Sequence, residues 1–398
     1  MRVLHISTED YCGAGQCCLR IHRSLLEEGV ESKVLVLKNT QHVEEEYEYG
    51  FLKDKVSKIP SKILRIMGLV VTDRNKKLCL AQKHPNVPYS LPVSAVNILK
   101  NEWIEWADII HLHWVCNYLD YPSFFKGINK PVVWTLHDEY FFYGIAHYSE
   151  QVLKNNELEI RYARLKQKVL SEVENLSIVL LSEFFYNKFK YNDLLKGRLV
   201  KVINNPVDTN AFIPIPKNVA RQKLGLSNND TIFAFTAMNI TDRRKGLKVL
   251  SKVLSVLGPK FKILAIGNNP QNEVMMSNVI SVGLRTSSKD ISEILSAADY
   301  FAMPSYQEAF AQSPMEAMAC GLPVVVFPVS GTAELINEKN GVICDDFSAE
   351  ALFNGIQELM SRRYNSSEIR QNMINRFSPK SIAMKYINLY TNISSVNN

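Results

Sequence analysis

Two glutamates stand eight positions apart in EAFAQSPMEAMACG, residues 308–321: Glu308 opens the stretch and Glu316 lies inside it. The strand-like DYFAMPS (299–305) precedes them and LPVVVF (322–327) follows. Glu308 therefore falls on a loop at the carboxyl end of a strand, in front of a helix start. Ser313 at the N-cap, Pro314 at the first helical position and Glu316 at the third spell a Ser-x-x-Glu capping box. Gly321 and Pro323 close the short helix. A helix N-terminus offers N–H groups and a positive dipole, which suit phosphate. A second cluster, DRRKG (242–246), follows the first strand of the same half and brings Arg243, Arg244 and Lys245 to another helix start. A diphosphate between those cations and the helix terminus would have its charge met from both sides. Each feature has a plainer explanation alone, since a capping-box glutamate needs no ligand and DRRKG could be an exposed basic turn.

Histidines form the other group. His111 and His113 alternate in DIIHLHW (108–114) and share one face of a strand. No carboxylate or third ligand stands at metal spacing, so no metal is expected. His5 and His111 read as satisfied side chains of their strands.

Short apolar strands alternate with helical stretches along the whole chain. RVLHIS, SKVLVLK, DIIHLHW, PVVWTLHD, LSIVLLS and LVKVINN read as strands in the first half. TIFAFTA, FKILAIG, NVISVG, DYFAMPS, LPVVVF and GVICDD restart the pattern in the second. The runs are continuously apolar, as in parallel sheets buried on both faces. Strand–helix winding twice over gives an α/β protein of two doubly wound Rossmann-like domains facing each other across a cleft. The break falls in NNPVDTNAFIPIPKN (204–218), rich in prolines and turn residues. Residues 1–205 then form an N-terminal Rossmann-like domain and 206–379 a C-terminal one. A helix over about 380–398 is expected to pack back on the first.

With 46% hydrophobic and 22% charged residues in 398, the composition is globular and the length suits two cores. The seven cysteines show no CxxC spacing and read as reduced thiols of a cytoplasmic protein. No signal peptide and no membrane span is legible. The net charge of +6 is concentrated in 51–83, where nine bases meet two acids among Ile59, Ile63, Leu64, Ile66 and Met67. Such a stretch suits an anionic membrane surface, or else a solvated helix face. Nucleic acid is not expected, since neither a recognised motif nor an aromatic ladder accompanies the bases. No strand is followed by G-x-G-x-x-G, which argues against a dinucleotide-dependent dehydrogenase.

Taken together, Glu308-x7-Glu316 within PSYQEAFAQSPMEAMACGLPVVVF, RRKG upstream, STEDYCGAGQ, DIIHLHW, TLHD and VINNPVDTNAF resemble the family 4 retaining glycosyltransferases of GT-B fold. The resemblance runs nearly the length of the chain. It implies that Glu316 accepts hydrogen bonds from the donor ribose and that Glu308 faces the hydroxyls of the transferred sugar. Backbone N–H groups around Ala309 and Phe310 help hold that sugar. Lys245 contacts the diphosphate. Asn239 stands where the family has an additional arginine, and Arg243 or Arg244 is expected to substitute. The base lies near Gly283 to Arg285, with Leu284 among its contacts. From the first domain, Gly13 and Gly15 resemble a glycine-rich loop beside phosphates and acceptor, His113 is placed near the donor sugar, and His137 and Asp138 line the acceptor side. Glu308, Lys245 and His113 are the implied catalytic group.

The implied reaction moves a hexose-type sugar from a UDP- or GDP-sugar to a hydroxyl of a glycan or lipid-linked glycan, with configuration retained and without metal or cofactor. Capsule, O-antigen or other cell-surface polysaccharide assembly is the expected setting, in the cytoplasm or peripherally on the inner face of the plasma membrane. The rivals are a non-catalytic nucleotide-sugar-binding scaffold and a GT-B epimerase or phosphorylase.

Overall fold

The computed structural model describes residues 1–11, 13–38, 47–49, 89–94, 96–152, 155–308 and 310–396. The basic stretch 51–83, Cys12 and Ala309 lie outside the described residues. The chain divides into two compact units. One comprises Met1–Leu181, Tyr186–Ile203 and Ala383–Asn398; the other comprises Ser182–Phe185 and Asn204–Ile382.

Seven parallel strands build the sheet of the first unit: β1 (Arg2–Glu9), β2 (Glu31–Lys38), β3 (Tyr47–Tyr49), β4 (Ile109–Leu112), β5 (Val132–Leu136), β6 (Leu176–Leu180) and β7 (Val200–Val202). Their order is β3-β2-β1-β4-β5-β6-β7. Every residue of β4, β5 and β6 is buried, which is why these strands lack polar alternation. β3 has no counterpart in the sequence reading, because YEY presents no apolar run.

The second unit holds six parallel strands: β8 (Thr231–Asn239), β9 (Phe261–Asn268), β10 (Val279–Gly283), β11 (Tyr300–Met303), β12 (Val324–Val326) and β13 (Gly341–Ile343). They are ordered β10-β9-β8-β11-β12-β13. Helix Leu247–Leu257 presents Leu247, Leu250, Val253 and Leu254 at helical spacing to Phe233, Phe235 and Ile263 of the sheet. Val325, Leu352 and Ile356 complete the same core.

In each sheet the strand order turns back at one place, between β1 and β4 and between β8 and β11. The carboxyl ends of strands at such a switch point are where wound sheets bind ligands. Both candidate groups from the sequence follow these four strands. The last helix, Pro379–Val396, belongs to the first unit from Ala383 onward. Its fully buried Tyr386 and Tyr390 anchor it: the Tyr386 hydroxyl lies 2.9 Å from Thr135 Oγ1, and the Tyr390 hydroxyl 2.7 Å from His111 Nδ1. Among the described residues no helix is long and apolar enough to cross a membrane.

Candidate active site

In the second unit two loops meet at the β8/β11 switch point. At the end of β8, Asn239 turns its side chain back on the chain, Oδ1 accepting from Thr241 N at 2.9 Å and from Thr241 Oγ1 at 2.8 Å. Asp242 then caps the single 3₁₀ turn Arg243–Lys245 by accepting from Arg244 N at 2.9 Å. Gly246 follows with φ of +79°. A Cβ there would lie 2.1 Å from Pro304 O, so only glycine lets this turn press against the loop after β11. Tyr306 N donates to Arg244 O at 2.8 Å and fastens the two loops together.

That closeness brings Lys245 Nζ to within 2.5 Å of Glu308 Oε1. The side chains are 27% and 13% exposed, so the pair is half-desolvated yet reachable from solvent. The basic residues nearby have diverged in role. Arg244 is paired with Asp242, its Nη2 2.6 Å from Oδ2. Burial raises the Asp242 pKa, but the hydrogen bonds and charge of Arg244 outweigh it and hold the carboxyl below its usual range. Arg243, on the same turn, is exposed. Of the two arginines expected to substitute at Asn239, Arg243 is the one whose side chain is not tied to Asp242.

The capping box is overturned. Helix Gln312–Ala319 starts earlier, with Ala311 at the N-cap and no side-chain cap. Ala311 N instead donates to Thr332 Oγ1, 3.2 Å away and 21 residues on, which sets the helix entry. Ser313 and Pro314 therefore lie within the first turn, where proline forfeits no hydrogen bond. Glu316 is left buried at 8% exposure in the body of the helix. Gly321, with φ of +79°, ends the helix as expected. Phe310 is buried beside Gly331, and Leu284 is exposed just after β10. A cavity of about 330 Å³ lined by Asn337, Lys339, Asn340, Glu368 and Asn372 lies at the opposite, amino edge of this sheet, before β13.

In the first unit Gly13 and Gly15 form the first turn of helix Gly13–Glu27 rather than a loop. A Cβ on Gly15 would stand 2.2 Å from Glu9 O, whereas one on Gly13 would meet nothing within 4 Å. Gly15 thus lets the helix start pack on the end of β1.

Beside that turn, β1, β4 and β5 bring four histidines together. His5 and His111 are paired in register, and their rings lie 4.8 Å apart. His113 Nε2 is 2.9 Å from His5 Nδ1, and His113 Nδ1 is 3.1 Å from His137 Nε2. His111 is satisfied at both nitrogens, by Thr135 and Tyr390. His5 is not: its Nε2 is buried without a hydrogen-bond partner. Burial holds His5, His111 and His113 well below the usual imidazole range; it also lowers His137, to about 4, against a smaller upward pull from Asp138. Asp138 is a hub, accepting from Trp114 Nε1 at 2.9 Å and Tyr140 N at 3.0 Å, with His147 Nδ1 at 2.6 Å. Burial pushes this carboxyl up, but the His147 charge and these hydrogen bonds bring it below its ordinary value.

Several of these groups escaped the sequence reading. Cys18 is one: its sulfur joins His5 and His113, and not His111, in a cluster whose potential ligand atoms lie within 4.8 Å of one another. The buried Lys166 donates to Tyr140 O at 2.5 Å and Tyr143 O at 2.6 Å, fixing the turn after Asp138. Burial lowers its pKa to about 7. Neither residue belongs to a motif; Cys18 lies on the helix Gly13–Glu27 and Lys166 on the helix Glu157–Ser171.

The residues match known proteins in two ways. Residues 217–377 match the model of the glycosyl transferases group 1 family. A D-inositol 3-phosphate glycosyltransferase of Mycobacterium sp. (strain KMS) is 30% identical over 177 residues, which cover 41% of this chain and 40% of that protein. The chain thus aligns with less than half the length of this curated relative. Among solved structures, a sucrose-phosphate synthase from Thermosynechococcus elongatus superposes with a TM-score of 0.70 at 18% identity, over 100% of both chains. Anabaena Alr3699/HepE, solved in complex with UDP-glucose, gives 0.69 at 18% identity over 98% of this chain and 100% of its own. Glu308, Lys245 and Glu316 all lie inside the segment that is similar to the glycosyl transferases group 1 family, and the chain that carries it has the GT-B fold.

Proposed function

We propose that this protein is a retaining, metal-independent glycosyltransferase that moves a hexose-type sugar from a UDP- or GDP-sugar to a hydroxyl of a glycan or lipid-linked glycan. The observation that carries the reading is the convergence of Glu308 and Lys245 at the β8/β11 switch point of a glycosyl transferases group 1 domain. The departing diphosphate gains negative charge in the transition state. Lys245, the exposed Arg243 and the N-terminus of helix Gln312–Ala319 stabilise it electrostatically. Glu308 orients the sugar through its hydroxyls, the backbone at Ala309 and Phe310 supports it, Glu316 takes the ribose, and the base rests near Leu284. Gly13, Gly15, His113, His137 and Asp138 serve the sugar and acceptor side. The UDP-glucose complex of the Anabaena protein supports a nucleotide-sugar donor. With the leaving charge met by side chains, attack proceeds on the same face of the sugar and the leaving phosphate oxygen takes the acceptor's proton.

The setting is cell-surface polysaccharide synthesis at the inner membrane face, with 51–83 against anionic lipid. Vesicle flotation with charge-reversed Lys58, Lys62 and Arg65 tests that part; equal binding removes it. For the reaction, a thermal-shift panel of UDP-, GDP-, ADP- and CMP-sugars should identify one donor class by a raised melting temperature. Transfer from that donor should survive EDTA and fall at least about 100-fold in Glu308→Ala. An epimerised sugar formed from donor alone, or full transfer by Glu308→Ala, would overturn the assignment.

A further inference from the structure

His5, His113 and His137 form a linear chain that runs from the floor of the first unit's sheet toward its surface. His5 and His113 are 0% and 2% exposed, while His137 is only partly buried. The links are 2.9 Å and 3.1 Å, and both nitrogens of His113 are used in making them. A neutral imidazole has one N–H and one lone pair. His113 must therefore donate at one end and accept at the other, so the three rings share a single polarity. Either every ring donates toward the surface, or every ring donates toward the floor.

The buried end distinguishes the two. His5 Nε2 has no hydrogen-bond partner. If the chain donates inward, that atom carries an orphaned N–H; if it donates outward, that atom is a bare lone pair. Unpaired buried N–H groups are the rarer of the two defects. A metal shared by these residues fits less well. Two nitrogens on a tetrahedral zinc with bonds of about 2.0–2.1 Å stand roughly 3.3 Å apart. The 2.9 Å between His5 and His113 is a hydrogen-bond distance.

We infer that His5 is a positioning residue that fixes all three rings in the Nδ1–H form: His5 Nδ1–H donates to His113 Nε2, His113 Nδ1–H donates to His137 Nε2, and His137 turns its own Nδ1–H outward. The outward group is then a hydrogen-bond donor, suited to a hydroxyl or phosphate oxygen of the substrate, and not a base. His113, with both nitrogens engaged, acts through His137. The functional half of this inference rests on the glycosyltransferase reading; the tautomers do not.

Imidazole ¹⁵N spectra of histidine-labelled protein test it without any substrate. His5, His113 and His137, assigned by substitution, should all show the Nδ1–H pattern, which is the minor form of free imidazole. His5→Phe removes the donor, and His113 and His137 should drift toward the Nε2–H form. His5→Asn, whose amide can replace Nδ1–H, should restore the pattern. In the transfer assay His5→Phe should lower kcat about 10-fold or more with the donor KM within about 2-fold, and His5→Asn should recover most of it. Circular dichroism and the melting temperature establish that each variant is folded. An Nε2–H form at His113 in the wild type, an unchanged His137 in folded His5→Phe, or stoichiometric Zn²⁺ lost on His5→Asn would overturn the proposal. A changed tautomer with unchanged kcat would overturn its functional half. Absence of transfer from any donor with the tautomers as stated would refute the glycosyltransferase reading alone.

Discussion

At the scale of single residues, the pair Lys245–Glu308 carries the proposed function. Each side chain neutralises the other at 2.5 Å, and each is proposed to meet a different part of one donor. A substrate that takes the ammonium with its phosphate and the carboxylate with its sugar hydroxyls replaces one partner by another at little desolvation cost. Removing one residue strips the other, part-buried, of this ion pair. Lys245→Met and Glu308→Gln should therefore each cost at least about 100-fold in kcat/KM, while the double variant costs much less than the product. The cycle should return a coupling of about 1–3 kcal/mol. Strictly multiplicative losses would show that the two act on separate ligands. The neighbouring arginines should differ as their contacts do. Arg243→Ala should raise the donor KM more than Arg244→Ala, whose main effect should be a lower melting temperature from an Asp242 left without its partner. That Lys245 and Glu308 meet was legible from their positions at neighbouring strand ends. That Arg244 is tied to Asp242 was not, because DRRKG does not say which basic side chain folds back.

At the scale of elements, local signals located the strands well and the helix start poorly. All twelve expected strands exist, because continuous apolar runs bounded by turns have few alternatives in a wound sheet. The helix carrying Glu316 begins at Gln312, since a hydroxyl 21 residues away captures Ala311 N. No local capping rule reports such a partner. Gly13 and Gly15 show the same divide: they are two residues apart and look alike, but only Gly15 abuts the backbone of Glu9. Gly15→Ala should destabilise the first unit by at least about 2 kcal/mol, because backbone must move. Gly13→Ala should leave stability within about 0.5 kcal/mol. Urea midpoints decide; equal effects at the two positions would contradict the packing described here.

At the scale of the whole molecule, the histidines make the two units respond differently to acid. No histidine follows His147, so the second unit contains none. In the first, burial holds His5, His111 and His113 well below 6.5 and His137 at about 4. The unfolded chain thus binds protons below about pH 6.5 that the folded unit refuses. Their contribution is fully present above pH 6.5 and is lost as pH falls toward the folded values, at up to about 1.4 kcal/mol per pH unit for each ring. Between pH 6.5 and 5, where ordinary carboxylates stay ionised, the first unit should lose stability steeply and the second should hold. Calorimetry should show two transitions separating on acidification. His137→Phe should flatten the slope of the first. Two transitions that move in parallel would mean that these rings are not buried neutral.

The α/β class, the twelve expected strands and the acidic and basic motifs followed from sequence alone. Apolar runs report burial on both faces of a sheet, and a motif carries its own spacing. Tertiary structure decided the rest: which arginine is tied to Asp242, where the Glu316 helix starts, and that His5, Cys18 and Lys166 belong to the polar interior of the first unit. Those outcomes depend on partners far apart in the chain. A hydrogen bond between β1 and β4, or from a helix to a distant turn, leaves no periodicity for a linear reading to detect.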